Sequence, residues 1–94
     1  MVISLYKKFK SMQHFVYILK CSDDTLYVGS TNDLERRLLE HNGSKKGAHY
    51  TKIRRPVKLV HHETFDTLKE ALQKEREIKS WTRKKKLALI ENTK

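Results

Sequence analysis

The chain is poor in several things, and each shortage excludes something. It has one cysteine, Cys21, in 94 residues, so no internal disulfide can form, and the sequence fits a reducing compartment, the cytoplasm. No stretch approaches the roughly 18 apolar residues of a membrane span. The first ten residues, Met1 to Lys10, mix apolar side chains with three lysines. They lack the long apolar centre and small-residue cleavage site of a signal peptide. They read as part of a basic extension, residues 1–13, ahead of a single domain over residues 14–94. Met12 is a candidate alternative start, because the first clear structural element begins just after it. The one proline, Pro56, blocks helix where it stands. Repeats and low-complexity segments are absent. Acid is also scarce, with 11 Asp+Glu against 21 Lys+Arg and a net charge of +10. That excess favours a polyanionic partner, of which nucleic acid is the commonest. The length allows one modest core and no second one.

What is present is organised around residues 15–41. The apolar run Phe15-Val16-Tyr17-Ile18-Leu19, the polar turn Cys21-Ser22-Asp23-Asp24 and the second run Thr25-Leu26-Tyr27-Val28 spell a β-hairpin. Strand one is expected over Phe15 to Lys20 and strand two over Thr25 to Val28. Gly29 is expected to let the backbone leave the strand at an angle few residues adopt. The near-continuous apolar character suggests a sheet covered on both faces. A helix follows, with Asn32 as N-cap, Glu35 as its capping-box partner and Gly43 as a left-handed stop. Residues 43–56 read as a loop. Strand three spans Val57 to Phe65, with Val57, Leu59, His61, Glu63 and Phe65 on one side. Thr67 and Glu70 form a second capping box before a helix that runs to about Ser80, and a last short helix follows through Leu87, Leu89 and Ile90. The whole is an α/β layer fold with a small, mainly antiparallel sheet.

Two charges stand where apolar residues belong. Leu34, Leu38 and His41 share one face of the first helix, and Arg37 lies between them. On the second helix Leu68, Ala71, Leu72 and Ile78 define a stripe that Glu75 interrupts. A charge facing a core is costly unless it is paired or the stripe opens into a cleft. A buried Arg37–Glu75 bridge in a protein of unrelated role would satisfy both. It would not require the neighbouring Tyr17, Tyr27 and His41, nor the basic surface. Those groups suit phosphodiester cleavage. A carboxylate such as Glu75 can hold a divalent cation, and one glutamate suffices for Mg²⁺ when water and phosphate oxygens complete the shell. Arg37 can grip two phosphate oxygens. A phenol or an imidazole can orient or deprotonate water. Tyr17 or Tyr27 would need a nearby cation for this, whereas His41 would not, and the residues alone leave the choice open.

These residues resemble the GIY-YIG nuclease superfamily, and most closely its small stand-alone bacterial members, of the UPF0213 type, which are similar to the N-terminal part of an excinuclease. The resemblance covers Phe15 to about Ile90. Tyr27-Val28-Gly29 stands for the second family motif. Phe15-Val16-Tyr17 stands for the first, keeping the tyrosine and lacking the glycine. The family arginine falls on Arg37, the polar residue one turn later on His41, and the metal-binding glutamate on Glu75. The resemblance implies a three-stranded antiparallel sheet flanked by helices and Mg²⁺- or Mn²⁺-dependent hydrolysis of DNA. Tyr17, Tyr27, Arg37, His41 and Glu75 would be catalytic, with Glu75 as metal ligand, in a structure-selective endonuclease of repair or recombination. An asparagine that many relatives carry after the glutamate helix has no match here.

Most relatives add a DNA-targeting domain. Without one, the backbone contacts fall to Lys45, Lys46, Lys52, Arg54 and Arg55 of the loop, to Tyr50, to Arg83, Lys84 and Lys85, and to the N-terminal lysines, or a targeting protein assists. The competing reading is a non-catalytic or partner-activated nucleic-acid-binding module. Such a module has no use for Glu75, since a carboxylate repels phosphate unless a metal intervenes. Thr51, beside Tyr50, is expected to face the cleft. His61 and His62 have no cysteine and only Glu63 near them, a poor metal set. Trp81 reads as a packing residue, Cys21 as inert, and Glu77 as solvated on the far side of its helix from Glu75.

Overall fold

The computed structural model describes residues 13–43 and 45–92. The basic extension up to residue 12, with its lysines and Met12, lies outside the described residues. The described residues form three strands, β1 (His14–Lys20), β2 (Leu26–Thr31) and β3 (Lys58–Phe65), with two helices after β2 and two after β3. These are α1 (Leu34–Gly43), α2 (His49–Lys52), α3 (Leu68–Lys79) and α4 (Arg83–Asn92). The sheet is antiparallel with order β2-β1-β3, so β1 is central and β2 is an edge.

Side chains alternate across a strand, and the central strand uses both faces. Val16 and Ile18 pack with Val28 against Ala71 and Ile78 of α3 and Ile90 of α4. Tyr17 and Leu19 face the other way, with Cys21, Val57 and Leu59, and are covered by Leu34 and Leu38 of α1. Helices thus lie on both sides of the sheet, as the near-continuous apolar run in β1 predicts. Burial on both faces pins the register, because a one-residue slip would exchange Tyr17 and Leu19 with Val16 and Ile18.

Several local expectations are corrected. Strand two continues through Gly29 to Thr31, and no described glycine has a positive φ. Gly29 is needed for closeness: it pairs with Tyr17, and a Cβ there would lie 2.6 Å from the Tyr17 hydroxyl oxygen. Among the described residues the left-handed region is taken by Asp24 (φ 67°), in the hairpin turn, a conformation Asp tolerates. Helix α1 begins at Leu34, and its cap is Asp33 rather than Asn32. The Asp33 carboxylate accepts from Arg36 N–H (3.1 Å), and its carbonyl accepts from Arg37 N–H (3.0 Å). Asn32 instead accepts from the Arg36 guanidinium. Gly43 closes α1 without a left-handed turn. The expected loop over residues 43–56 contains α2.

Strand three does not keep one face. The pairing shifts between Ile18 and Leu19, which oppose His61 and Leu59. This bulge sends Leu59 to the tyrosine face, and His61 and Glu63 to the opposite one. The Thr67 cap of α3 is as expected, its hydroxyl accepting from Glu70 N–H. Leu68 and Leu72 are exposed, so Ala71 and Ile78 alone form the buried stripe of α3. Trp81 packs against the core with the Lys85 ammonium 4.4 Å from its ring centre.

Candidate active site

The tyrosine face of the sheet holds a buried polar chain. Tyr17 lies on β1 and Tyr27 on β2, their rings 6.3 Å apart. Between them and α1 stands His41, 0 % exposed, edge-on to Tyr17 at 5.8 Å and to Tyr27 at 5.1 Å. His41 Nε2 is 2.8 Å from the Tyr17 hydroxyl, and Nδ1 is 2.7 Å from Thr51 Oγ1. Thr51 is also fully buried and donates to the Ala48 carbonyl at 3.0 Å. The backbone of α1 carries His41 to this place because Leu34 and Leu38, on the same helical face, must cover the sheet.

Arg37 sits one turn before His41. Its Nη1 donates to Glu40 Oε1 (2.9 Å) and to the Lys46 carbonyl (2.8 Å). The guanidinium also neighbours Tyr17. Desolvation pushes the Tyr17 phenol up to about 12, although Arg37 pulls the other way. Burial, then the positive charge of Arg37, lowers His41 to about 4. Both groups are therefore neutral near pH 7.

Glu75 occupies the other side of the same edge. Ser30 of β2 pairs with Val16 and so points toward α3, where its hydroxyl donates to Glu75 Oε1 at 2.7 Å. Glu75 Oε2 pairs with Lys79 at 2.7 Å. The expected alternative of an Arg37–Glu75 bridge is thereby overturned. Arg37 pairs with Glu40, and Glu75 with Lys79. Glu75 lines a shallow groove of about 210 Å³ with Leu72, Arg76 and Lys79, and its partner Ser30 lines another of about 260 Å³ with Thr31, Asn32 and Ala71.

Among the described residues no group of three or more His, Cys, Asp or Glu side chains could hold a metal. His61, with its Nε2 2.8 Å from Glu63, is no exception. Glu75 offers one carboxylate with a neighbouring hydroxyl, and its cationic partner, Lys79, is 54 % exposed and able to swing away. That donor set fits a hard cation that keeps most of its water, as Mg²⁺ does.

The basic residues divide into two groups. Lys45, Lys46 and Lys52 are exposed beside α1 and α2, on the tyrosine side. Arg83, Lys84 and Lys85 are exposed on the first turn of α4, on the α3 side. Arg54 and Arg55 are engaged within the fold. Arg54 pairs with Asp23 at 3.0 Å and lies 3.9 Å over the Tyr50 ring. Arg55 donates to the Glu40 and His41 carbonyls and so caps α1. Tyr50 in turn packs on Tyr27, 5.9 Å between centres.

Sequence reasoning misses Ser30 and the buried role of Thr51. Alternation along β2 places Ser30 opposite the tyrosines, and that signal is present in the sequence. Nothing local marks Thr51, whose partner lies ten residues away.

The buried histidine makes stability depend on pH. An unfolded histidine titrates near 6.5 and the folded one near 4. The unfolded state therefore binds the extra proton first, and stability is lost as pH falls from about 6.5 to 4 by about 3 kcal/mol. Urea denaturation at pH 7 and pH 4.5 should show most of that loss in the wild type and much less in His41→Gln. Equal losses in both would remove His41 as the cause.

Comparison with known proteins gives the family. The GIY-YIG catalytic domain matches residues 13–88. A UPF0213 protein of Bacillus pumilus is 58% identical over 83% of this chain and 79% of its own length. Another, from Staphylococcus saprophyticus, is 55% identical over 83% of this chain and 94% of its own. The solution NMR structure of a UPF0213 protein from Bacillus halodurans superposes with TM-score 0.56 at 44% identity, covering 85% of this chain and 84% of that one. The E. faecalis protein EF2693 gives 0.60 at 42% identity, covering 86% and 85%. No helix among the described residues is long and apolar enough to cross a membrane. The chain belongs to the GIY-YIG family, and the domain it shares with that family is of the nuclease type.

Proposed function

We propose that this chain is a divalent-metal-dependent endonuclease that hydrolyses DNA phosphodiester bonds, selects its substrate by shape, and serves repair or recombination. One observation carries the reading: a buried Tyr17–His41–Thr51 chain ends beside Arg37 at the strand edge where Glu75 stands. Burying three polar side chains is unfavourable compared with an apolar core of the same size, so a purely structural role gives no reason for them.

Hydrolysis joins a water oxygen to phosphorus and breaks the bond to the leaving sugar oxygen. The water gives up a proton, and the leaving oxygen departs as an alkoxide that takes one from solvent. With its acidity shifted to about 12, Tyr17 is a phenol at neutral pH and a poor base alone. In contact with neutral His41 it can take the water's proton while passing its own to the imidazole, whose cation burial and Arg37 disfavour in the free protein and the negative charge growing on the phosphate favours. Arg37 offers a guanidinium fork to the phosphate oxygens and offsets their growing charge. Glu75, beside Ser30, would hold the Mg²⁺ or Mn²⁺, which when bound supplies positive charge at the scissile phosphate and the leaving oxygen.

Lys45, Lys46 and Lys52 lie on the side of the tyrosines and suit the nucleic-acid backbone, with Tyr50 beside them. Arg83, Lys84 and Lys85 suit a second stretch of it. Arg54 and Arg55, tied into the fold, act by holding this surface in shape. Binding of this kind falls steeply with salt and reads little sequence, which leaves targeting to DNA shape or to a protein partner.

The test is cleavage of end-labelled single-stranded, duplex and branched DNA with Mg²⁺ or Mn²⁺ against EDTA. The wild type should cut only with metal. Glu75→Ala should bind DNA and lose cleavage by at least about 100-fold. Cleavage in EDTA would refute the metal dependence. Binding without cleavage of any substrate, unchanged in Glu75→Ala, would support the non-catalytic or partner-activated module instead.

A further inference from the structure

We propose that Thr51 is a positioning residue: it locks His41 as the Nδ1–H tautomer, so that the bare Nε2 faces the Tyr17 hydroxyl and receives its proton. This rests on the nuclease reading above.

The number of protons available fixes the tautomer. A threonine hydroxyl has one. Thr51 Oγ1 lies 3.0 Å from the Ala48 carbonyl, which can only accept, and 2.7 Å from His41 Nδ1. The Thr51 proton therefore goes to Ala48, and Oγ1 is left to accept from Nδ1–H. A neutral imidazole carries one N–H, so Nε2 is an acceptor. Its neighbour at 2.8 Å is the Tyr17 hydroxyl. The Tyr17 oxygen also neighbours Arg37, and a guanidinium can only donate, so it favours the same direction: Arg37 to Tyr17 to His41 to Thr51 to Ala48. In the opposite tautomer Nε2–H would point at the Tyr17 oxygen, and the phenol would have no base.

The rest of α2 holds Thr51 still. Thr51 and Lys52 N–H both donate to Ala48, and Arg54 N–H donates to Thr51. The Arg54 carbonyl accepts from Ser22 of the hairpin turn, and the Arg54 side chain pairs with Asp23. The two tyrosine rings close on His41 from the sheet, so the imidazole has no room to exchange partners with solvent.

The test uses Thr51→Val, which keeps the shape and removes the hydroxyl, and Thr51→Ser, which keeps the hydroxyl. Long-range ¹H–¹⁵N NMR of histidine-labelled protein at pH 7 should show His41 with Nδ1 protonated and Nε2 bare in the wild type and in Thr51→Ser. In Thr51→Val the proton should move to Nε2. Single-turnover cleavage should fall roughly 10- to 100-fold in Thr51→Val, with DNA affinity unchanged, and return to within about threefold of wild type in Thr51→Ser. An Nε2–H signature in the wild type, or full-rate cleavage by Thr51→Val, overturns the proposal. Should Thr51→Val fail to fold, the wild-type and Thr51→Ser spectra still decide the tautomer. A wild type that cleaves nothing refutes the nuclease reading, a result separable from the NMR outcome.

Discussion

Arg37→Ala should lower the cleavage rate by about 100- to 1,000-fold, the range seen when one preorganised donor to a developing oxyanion is removed. Arg37 is half-buried, and its position is set from within the fold, by Glu40 and the Lys46 carbonyl. Those contacts use Nη1 and the guanidinium also faces the Tyr17 oxygen, and the rest of the fork serves phosphate oxygens. Arg37→Lys should recover little of the loss, because an ammonium cannot grip two oxygens in one plane. Single-turnover rates and DNA affinities measured together separate chemistry from binding. Affinity should change far less than rate, since the proposed reading assigns most of the backbone attraction to the exposed lysines. Full activity in Arg37→Lys would reduce the role of Arg37 to that of a point charge.

Gly29→Ala should both destabilise the protein and disable it. The added Cβ would meet the Tyr17 hydroxyl oxygen at 2.6 Å, Tyr17 Cζ at 2.8 Å and Tyr27 Cε2 at 3.0 Å. Tyr17 is 2 % exposed and tied to His41, so it cannot retreat without giving up that bond. Overpacking of this sort costs about 1–3 kcal/mol. A shift of about 1 Å in a catalytic group costs on the order of 100-fold in rate. Gly43→Ala is the control, since nothing lies within 4 Å of a Cβ there and its φ is not positive. It should keep both stability and cleavage. Urea denaturation and the cleavage assay check both variants, and full cleavage in Gly29→Ala would show that the Tyr17–His41 contact is dispensable.

The two glycines also show which parts of the molecule are legible in one dimension. The place of Gly29 after an apolar run marks it as special, but for a different reason than the run suggests. A turn would demand backbone freedom, whereas the sheet demands an absent side chain opposite Tyr17. The same limit appears at strand three. Alternation puts Leu59 and His61 on one face, and the bulge opposite Ile18 and Leu19 separates them. The pattern along a strand says nothing about where its partner slips.

The sequence alone determined the hairpin, the Thr67 cap, the two-faced sheet and the α1 stripe that carries Arg37 and His41. These follow from periodicity, capping and turn chemistry, all of which act within a few residues. The tertiary structure decided the rest. It gave Arg37 to Glu40 and Glu75 to Lys79 and Ser30, so that the two charges do not pair with each other. It set Thr51 against His41, Ser30 against Glu75 and Arg55 against the end of α1, pairs separated by 10, 45 and 15 residues. Such pairs form because the buried polar groups must find partners once water is excluded. Which partner is within reach depends on how the sheet and helices pack, and no local pattern encodes that.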